Sequence, residues 1–360
     1  MVMKKIRVFL IDDSQIALAV LKRMLAYDPD IEVVGAFTNA AEALRLIPTL
    51  SPDVICTDLH MPGMDGLVFT RTVMERFPLP ILVISVSVQE HQTHTIFELL
   101  DNGAIDVFPK PKGILDGEFE KQARELTSKV KILSGVVAFT RHKKRPQAYS
   151  KAERLPIAVI DNPHQVRMVA IGASTGGPQV LHNIFRNLPA DFPAPIVCVQ
   201  HISEGFLDGF IDWLAQECAL KIVKAPHGLP PIPGNIYFPQ EGFQLEVDNL
   251  GRFNCINRAG HEGHCPSVTL TFRSVAQYYG KTSVGIILTG MGRDGADGIL
   301  DIARAGGITI AQDEQSCVVF GMPRQAIELG AIRCVLPADD IAAVLQRLRF
   351  TDCRKHALQL

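Results

Sequence analysis

Short apolar runs rich in Val, Ile, Leu and Phe alternate along the chain with longer stretches whose apolar positions recur every three or four residues. In the first third the runs are IRVFLID, EVVGAF, VICTDL, PILVISV and IDVFPK, with segments such as QIALAVLKRMLA between them. An unbroken aliphatic run is what a strand buried on both faces requires, and three-four spacing marks an amphipathic helix. Their repetition predicts five parallel strands with helical crossovers, a doubly wound α/β sheet over residues 4–128. Ligands of such a sheet sit beyond the carboxyl ends of its strands.

From about Lys129 to Gln165 the periodicity fades, and RHKKRPQAYSKAERLP gathers charge, Pro and small polar residues. A linker is predicted over 129–165, its basic cluster a solvated tether. The βα pattern resumes in MVAIGAS, APIVCVQH, KIVKAP, SVGIILTG and GITIAQD, predicting a second doubly wound α/β domain over 166–352. Within it, GNIYFPQEGFQLEVDNLGRFNCIN alternates with turn residues as an antiparallel β excursion would.

Composition narrows the class. With 360 residues, 47% of them hydrophobic, there is material for two cores. A formal charge of −2 excludes the broad basic face of a general nucleic-acid binder. The eight cysteines never form C-x-x-C and mostly fall in apolar runs, so reduced thiols and a cytoplasmic location are expected. Asp12 and Asp13 interrupt the first apolar run too early for a signal peptide, and no run approaches the roughly 18–20 residues of a membrane span. No membrane insertion is expected.

Polar residues cluster at the predicted strand ends. Asp12 and Asp13 close the first strand, Asp58 the third, Ser85 the fourth and Lys110 the fifth. Adjacent carboxylates offer the hard oxygen ligands that suit Mg²⁺. A carboxylate can also attack phosphorus to give an acyl phosphate, with Lys110 balancing charge and Ser85 hydrogen-bonding the product. Aspartates also end strands merely as turn formers, but that does not explain all five positions together. In IDDS, TDLHMPGMDG, ISVS and PKP, in that order, residues 4–128 resemble the response-regulator receiver family. The resemblance implies a flavodoxin-like fold, phosphorylation of Asp58 by a histidine kinase, and Mg²⁺ held by Asp12, Asp13 and Asp58. One departure is Val107, with Phe108 beside it, where the family's aromatic switch residue is expected.

In the second domain, Gly172-Ala173-Ser174-Thr175-Gly176 matches G-x-S-x-G, in which small neighbours let a sharp turn lift a serine out of the sheet. Serine followed by a helical pattern is also a helix-capping signal. A hydroxyl needs a base, and His201 ends APIVCVQH while Asp294 follows SVGIILTGMGR. The order Ser, His, Asp is not one of the familiar ones, but a triad is defined by geometry and role.

A receiver, a linker, then VAIGASTGG, VQH and ILTGMGRDGADG together resemble the chemotaxis protein-glutamate methylesterase family. The resemblance implies Ser174 as nucleophile, His201 as general base, Asp294 as orienting acid, Thr175 beside the nucleophile, and the Met291 backbone amide as oxyanion donor. It further implies hydrolysis of glutamate methyl esters on the cytoplasmic helices of chemoreceptors, deamidation of receptor glutamine by the same route, and restraint of the esterase by the unphosphorylated receiver. No cofactor is required for the ester step, and a monomer is expected. Ile202-Ser203-Glu204 replaces the Met-Pro that usually follows the histidine, Thr269 stands where Asp commonly follows Pro-Ser-Val, and Arg293 precedes Asp294.

Three rival readings exist. Gly290 to Gly295 also reads G-x-G-x-x-G after a strand, with Asp313 about 20 residues on, as in a dinucleotide site. There, however, Asp294 would repel a pyrophosphate. His261, His264 and Cys265 in HEGHC suggest zinc but lack a second ligand cluster, which favours a loop or packing role. Finally, phosphorylation could serve a non-catalytic docking module, against which the complete Ser174, His201 and Asp294 set argues.

Overall fold

The computed structural model describes residues 4–85, 93–111, 116–136, 165–257, 264–348 and 350. They fall into two compact units, residues 1–148 and 149–360.

The first unit contains β1 (Ile6–Ile11), β2 (Ile31–Phe37), β3 (Val54–Asp58), β4 (Ile81–Ser85) and β5 (Asp106–Pro109). They form a parallel sheet in the order β2-β1-β3-β4-β5. The crossovers are α1 (Gln15–Leu25), α2 (Ala40–Leu50), α3 (Gly66–Arg76), α4 (Thr93–Asp101) and α5 (Asp116–Ser134). The Ser14, Asn39 and Asp65 side chains cap α1, α2 and α3 by accepting from backbone N–H groups of their first turns. β3 and β4 are buried throughout, their aliphatic stretches ending in the buried polar residues Thr57 and Asp58 of β3 and Ser85 of β4.

The predicted linker begins too early. α5 continues to Ser134, burying Phe119, Ala123, Leu126, Val130 and Leu133 at alternating spacings of four and three. Lys129 pairs with Asp106 at 2.6 Å, and Lys131 with Asp28 at 2.6 Å and Asp30 at 2.9 Å. Lysines that tie the helix to its neighbours had disguised its last turns as tether. The basic cluster itself lies outside the described residues.

The second unit runs β6 (Met168–Ala173), α6 (Gly177–Arg186), β7 (Ile196–Gln200), α7 (Leu207–Glu217), β8 (Lys221–Lys224), β9 (Asn235–Phe238), β10 (Phe243–Val247), β11 (Phe253–Asn257), α8 (Val268–Tyr279), β12 (Ser283–Ile287), α9 (Ala296–Arg304), β13 (Ile308–Gln312), α10 (Met322–Glu328), β14 (Cys334–Leu336) and α11 (Ala338–Arg347). Seven strands form a parallel sheet, β14-β13-β12-β6-β7-β9-β8. Among the described residues only β10 and β11 pair antiparallel. Thus the excursion is shorter than expected: NIYF joins the main sheet as β9 between β7 and β8, where Ile236, Tyr237 and Phe238 are buried. Periodicity shows which faces are covered, not which neighbour a strand takes. β14, three residues long, had too little pattern to be read.

Topology positions the chemistry. From β6 the chain moves to β7 on one side and later returns as β12 on the other, so the strand order reverses around β6. The crevice at such a reversal is where doubly wound sheets bind ligands. Buried Val268, Phe272, Val275, Ile299, Ile302 and Met322 fix α8, α9 and α10 in the core beside it. Among the described residues, no helix is long and apolar enough to cross a membrane.

Candidate active site

At the first unit's strand ends, Asp12, Asp13 and Asp58 each place a carboxylate oxygen within 4.8 Å of the others. Asp12 and Asp58 are buried and Asp13 is exposed, which leaves the cluster open to solvent on one side. Lys110 Nζ lies 2.8 Å from Asp12 Oδ2 and 2.7 Å from Asp58 Oδ2. Ser85 is buried at the end of β4, and its carbonyl accepts the Lys110 N–H at 2.6 Å, which fixes the start of the lysine-bearing segment. Burial raises the Asp58 pKa and Asp12 adds to this, against the lowering effect of Lys110 and the Leu59 N–H. Three hard, anionic oxygens with one solvent-facing side fit a small divalent cation that keeps several waters, such as Mg²⁺. Val107 and Phe108 are both buried in β5.

In the second unit the three sequence-predicted catalytic residues converge on adjacent strands. Ser174 follows β6, His201 follows β7, and Asp294 lies between β12 and α9. The small residues around Ser174 have individual reasons. A Cβ at Gly172 would collide with Val268 of α8, one at Gly177 with the Gln200 carboxamide, and one at Gly290 with both Met322 and Ser174. Gly176 has φ +76°, left-handed backbone that releases the chain into α6 directly after the serine. Ser174 is therefore not a side-chain helix cap, since Gly176 holds that position.

His201 Nε2 lies 2.9 Å from Asp294 Oδ2. The bond occupies Nε2, so any further proton exchange by the ring falls to Nδ1. Asp294 also accepts from Ser267 Oγ at 2.9 Å, Val268 N at 2.8 Å and Thr269 N at 2.9 Å. It thereby caps the open N–H groups of α8, where the helix dipole favours negative charge. Burial pushes the Asp294 pKa up, but bonds from His201 and Thr269 and the His201 charge overcome it and hold the group below the usual carboxylate range. A carboxylate this firmly ionised can orient imidazole and stabilise imidazolium without taking its proton.

Two buried amides brace the Ser174 turn and the loop beside it. Gln200 Nε2 donates to the carbonyls of both Ser174 at 2.9 Å and His201 at 2.8 Å, tying the two residues to one side chain. Gln312 Oε1 accepts from Thr289 N at 2.8 Å, while Thr289 Oγ1 donates to the Thr175 carbonyl at 3.0 Å. Thr175 is itself buried. The Gly290 carbonyl accepts from the N–H groups of Gly321 and Met322, which pins the residue before Met291. The Met291 side chain is exposed beside the serine turn.

The family model described as CheB methylesterase matches residues 169–345, and that of the response regulator receiver domain matches residues 8–116. A protein-glutamate methylesterase/protein-glutamine glutaminase of Nitrosospira multiformis is 38% identical over 343 residues, 95% of this chain and 97% of its own length. The chain belongs to the CheB methylesterase family. A second relative, protein-glutamate methylesterase/protein-glutamine glutaminase 4 of Geobacter metallireducens, is 38% identical over 344 residues, covering 95% of this chain and 99% of its own. The crystal structure of the Thermotoga maritima CheB methylesterase catalytic domain aligns with 51% of this chain and 99% of its own at 37% identity, with a TM-score of 0.48.

Within this CheB-type chain the sequence departures have local explanations. Thr269 Oγ1 accepts the Gly295 N–H at 2.7 Å, so it braces the Asp294 turn from the opposite direction. Arg293 makes a two-bond pair with Asp297 at 2.7 and 3.0 Å and is directed along α9. Ile202 and Ser203 are half-buried and Glu204 is exposed. Gly290 to Gly295 carries the Asp294 turn into α9, and Asp313 accepts from Ser316 N, so neither is left over for a dinucleotide. His261 lies outside the described residues, and Cys265 is exposed. The His264 ring stacks on His201, with centroids 4.5 Å apart and planes 8° from parallel. Among the described residues, the acidic trio of the first unit is the one cluster with metal-ligand geometry.

Sequence reasoning missed Gln200, Ser267 and His264 as parts of the site. Gln200 stood in view as the residue before His201, and Ser267 as a cap signal before an apolar helix. Nothing in the spacing of HEGHC shows that His264 meets His201.

Proposed function

We propose that this enzyme hydrolyses γ-methyl esters of glutamate on the cytoplasmic helices of chemoreceptors through an acyl-enzyme on Ser174. The reading is carried by the convergence of Ser174, His201 and Asp294 on neighbouring strands at the point of topological reversal, with the 2.9 Å His201–Asp294 bond already made. It is supported by the names of the relatives, which couple methylesterase to glutaminase.

Ser174 Oγ attacks the ester carbonyl while His201 Nδ1 takes its proton. Asp294 holds Nε2 and balances the imidazolium. The Met291 amide, on a loop pinned through Gly290, donates to the developing oxyanion, and such donors are commonly worth about 2.7–4 kcal/mol. Collapse breaks the carbon–methoxy bond, and methanol leaves with the His201 proton. Water deprotonated by His201 then cleaves the γ-glutamyl ester, returning carboxylate and free Ser174. With glutamine the same steps release ammonia.

In the receiver, Asp58 accepts the phosphoryl group from a histidine kinase. Asp12, Asp13 and Asp58 would hold Mg²⁺, which neutralises charge on transferring phosphoryl oxygens. Lys110 supplies a second positive charge against the product, and Ser85 offers a hydroxyl to it. Phosphorylation regulates the esterase, which acts as a monomer.

The test is methanol release from methylated receptor membranes by wild type and Ser174→Ala. The variant removes one hydroxyl and no core volume, so loss of turnover with unchanged thermal unfolding is expected. Turnover near the wild-type rate would overturn the assignment.

A further inference from the structure

The β10–β11 hairpin contributes no strand to the main sheet, yet it is fastened to the catalytic apparatus. Gln244 of β10 is buried, and its carboxamide bonds both ends of a four-residue link. Oε1 accepts the Ser267 N–H at 2.6 Å, and Nε2 donates to the His264 carbonyl at 2.7 Å. The two residues so held each touch one member of the triad. His264 stacks on the His201 ring, and Ser267 Oγ donates to Asp294 Oδ1 at 2.9 Å. Beyond Gln244 the strand is anchored along α8. The Leu245 carbonyl accepts from Thr271 Oγ1 at 2.6 Å, and Val247 N donates to Ser274 Oγ at 2.9 Å.

We infer that Gln244 is a positioning residue for the esterase, acting through the 264–267 segment to fix the plane of the His201 ring and the orientation of the Asp294 carboxylate. The inference rests on the triad reading. A carboxamide suits the task because one planar group both accepts and donates, as two backbone partners of opposite polarity require. A buried pair left without it would be free to shift, and displacement by about 1 Å of a group that orients a base can cost roughly 100-fold in rate. Because Gln244 touches neither the serine nor the loop of Met291, its effect belongs to kcat and not to KM.

The test uses the full-length chain as wild type, Gln244→Leu and Gln244→Glu, on methylated receptor membranes, with folded sites counted by fluorophosphonate labelling carried to its plateau, so that slower labelling does not lower the count. Leucine removes both bonds, whereas glutamate keeps an acceptor for Ser267 in nearly the same volume. Expected are kcat per labelled site lower by about 10–100-fold for Gln244→Leu, a smaller loss for Gln244→Glu, and KM within about twofold of wild type. A purely structural role would lower the unfolding temperature and the number of labelled sites while leaving kcat per site unchanged, and that result would overturn the inference. Should leucine prevent folding, Gln244→Glu decides by the same criterion. Ser174→Ala in parallel separates the two claims. Turnover by that variant would remove the triad reading itself, whereas a dead Ser174→Ala beside fully active Gln244 variants would remove only the role of Gln244.

Discussion

Replacing Asp294 with asparagine exposes how the site depends on one ionised carboxylate. Its two oxygens accept from four donors: Oδ2 from His201 Nε2 and Val268 N, and Oδ1 from Ser267 Oγ and Thr269 N. An amide has only one oxygen, and each side of the group meets a backbone N–H that cannot reverse its polarity. Where the Asn NH₂ faces Thr269, the His201 tautomer survives but loses a charge-assisted bond worth about 1.5–3 kcal/mol. At 1.36 kcal/mol per decade this is roughly a 10–150-fold fall in kcat. Where the NH₂ faces His201, the imidazole must present Nε2 as acceptor and carry its proton on Nδ1, so it cannot take the serine proton, and the loss approaches about 10⁴-fold. In either orientation one buried N–H goes unsatisfied, which costs about 1–3 kcal/mol of stability. Methanol release under saturating receptor, paired with denaturant unfolding, reads both effects. A folded Asp294→Asn enzyme with kcat within about threefold of wild type would refute the role assigned to the carboxylate.

Two further outcomes follow from the same geometry. Asp58→Asn should abolish Mg²⁺-dependent labelling by a small phosphodonor while leaving basal methanol release unchanged, and label persisting in the variant would place the acceptor elsewhere. His264 is exposed as a residue, but desolvation of its ring where it stacks on His201, and the His201 charge, lower its pKa against the opposing pull of Asp294. The unfolded chain therefore protonates first, near the ordinary imidazole value of about 6.5, and stability is lost as pH falls from there through the folded value. Asp294, with its pKa depressed, adds stability that is present above about pH 3.9 and withdrawn only as pH falls through its lower folded value. Urea unfolding at pH 7 and 5.5 should show a smaller loss for His264→Phe than for wild type, and identical losses would contradict a neutral His264 in the folded protein.

The parts legible in the sequence were those fixed by period and by strand ends. Short aliphatic runs marked β3, β4, β6 and β12, because a strand covered on both faces confines its polar residues to its ends. Ser174, His201 and Asp58 stood immediately after or at the ends of such runs, where a parallel sheet gathers its chemistry. Strand neighbours were less legible. β9 alternates like a hairpin strand yet pairs with β7 and β8, a choice made by tertiary packing. Lys129 and Lys131 look like tether but close the last turns of α5 on Asp106, Asp28 and Asp30. The supporting amides of Gln200 and Gln244 were opaque for another reason: a glutamine in a strand has no sequence mark that tells which distant carbonyl it will meet.

The central claim is that Ser174 is the nucleophile, made reactive by His201. It is tested most directly by treating the full-length enzyme with a fluorophosphonate, mapping the adduct by mass spectrometry, and following methanol release as labelling proceeds. One adduct on the peptide containing Ser174, with turnover lost in proportion to its formation and little labelling of His201→Ala, is the expected result. Turnover that survives complete modification of Ser174, or inactivation by an adduct on another residue while Ser174 stays free, would contradict it.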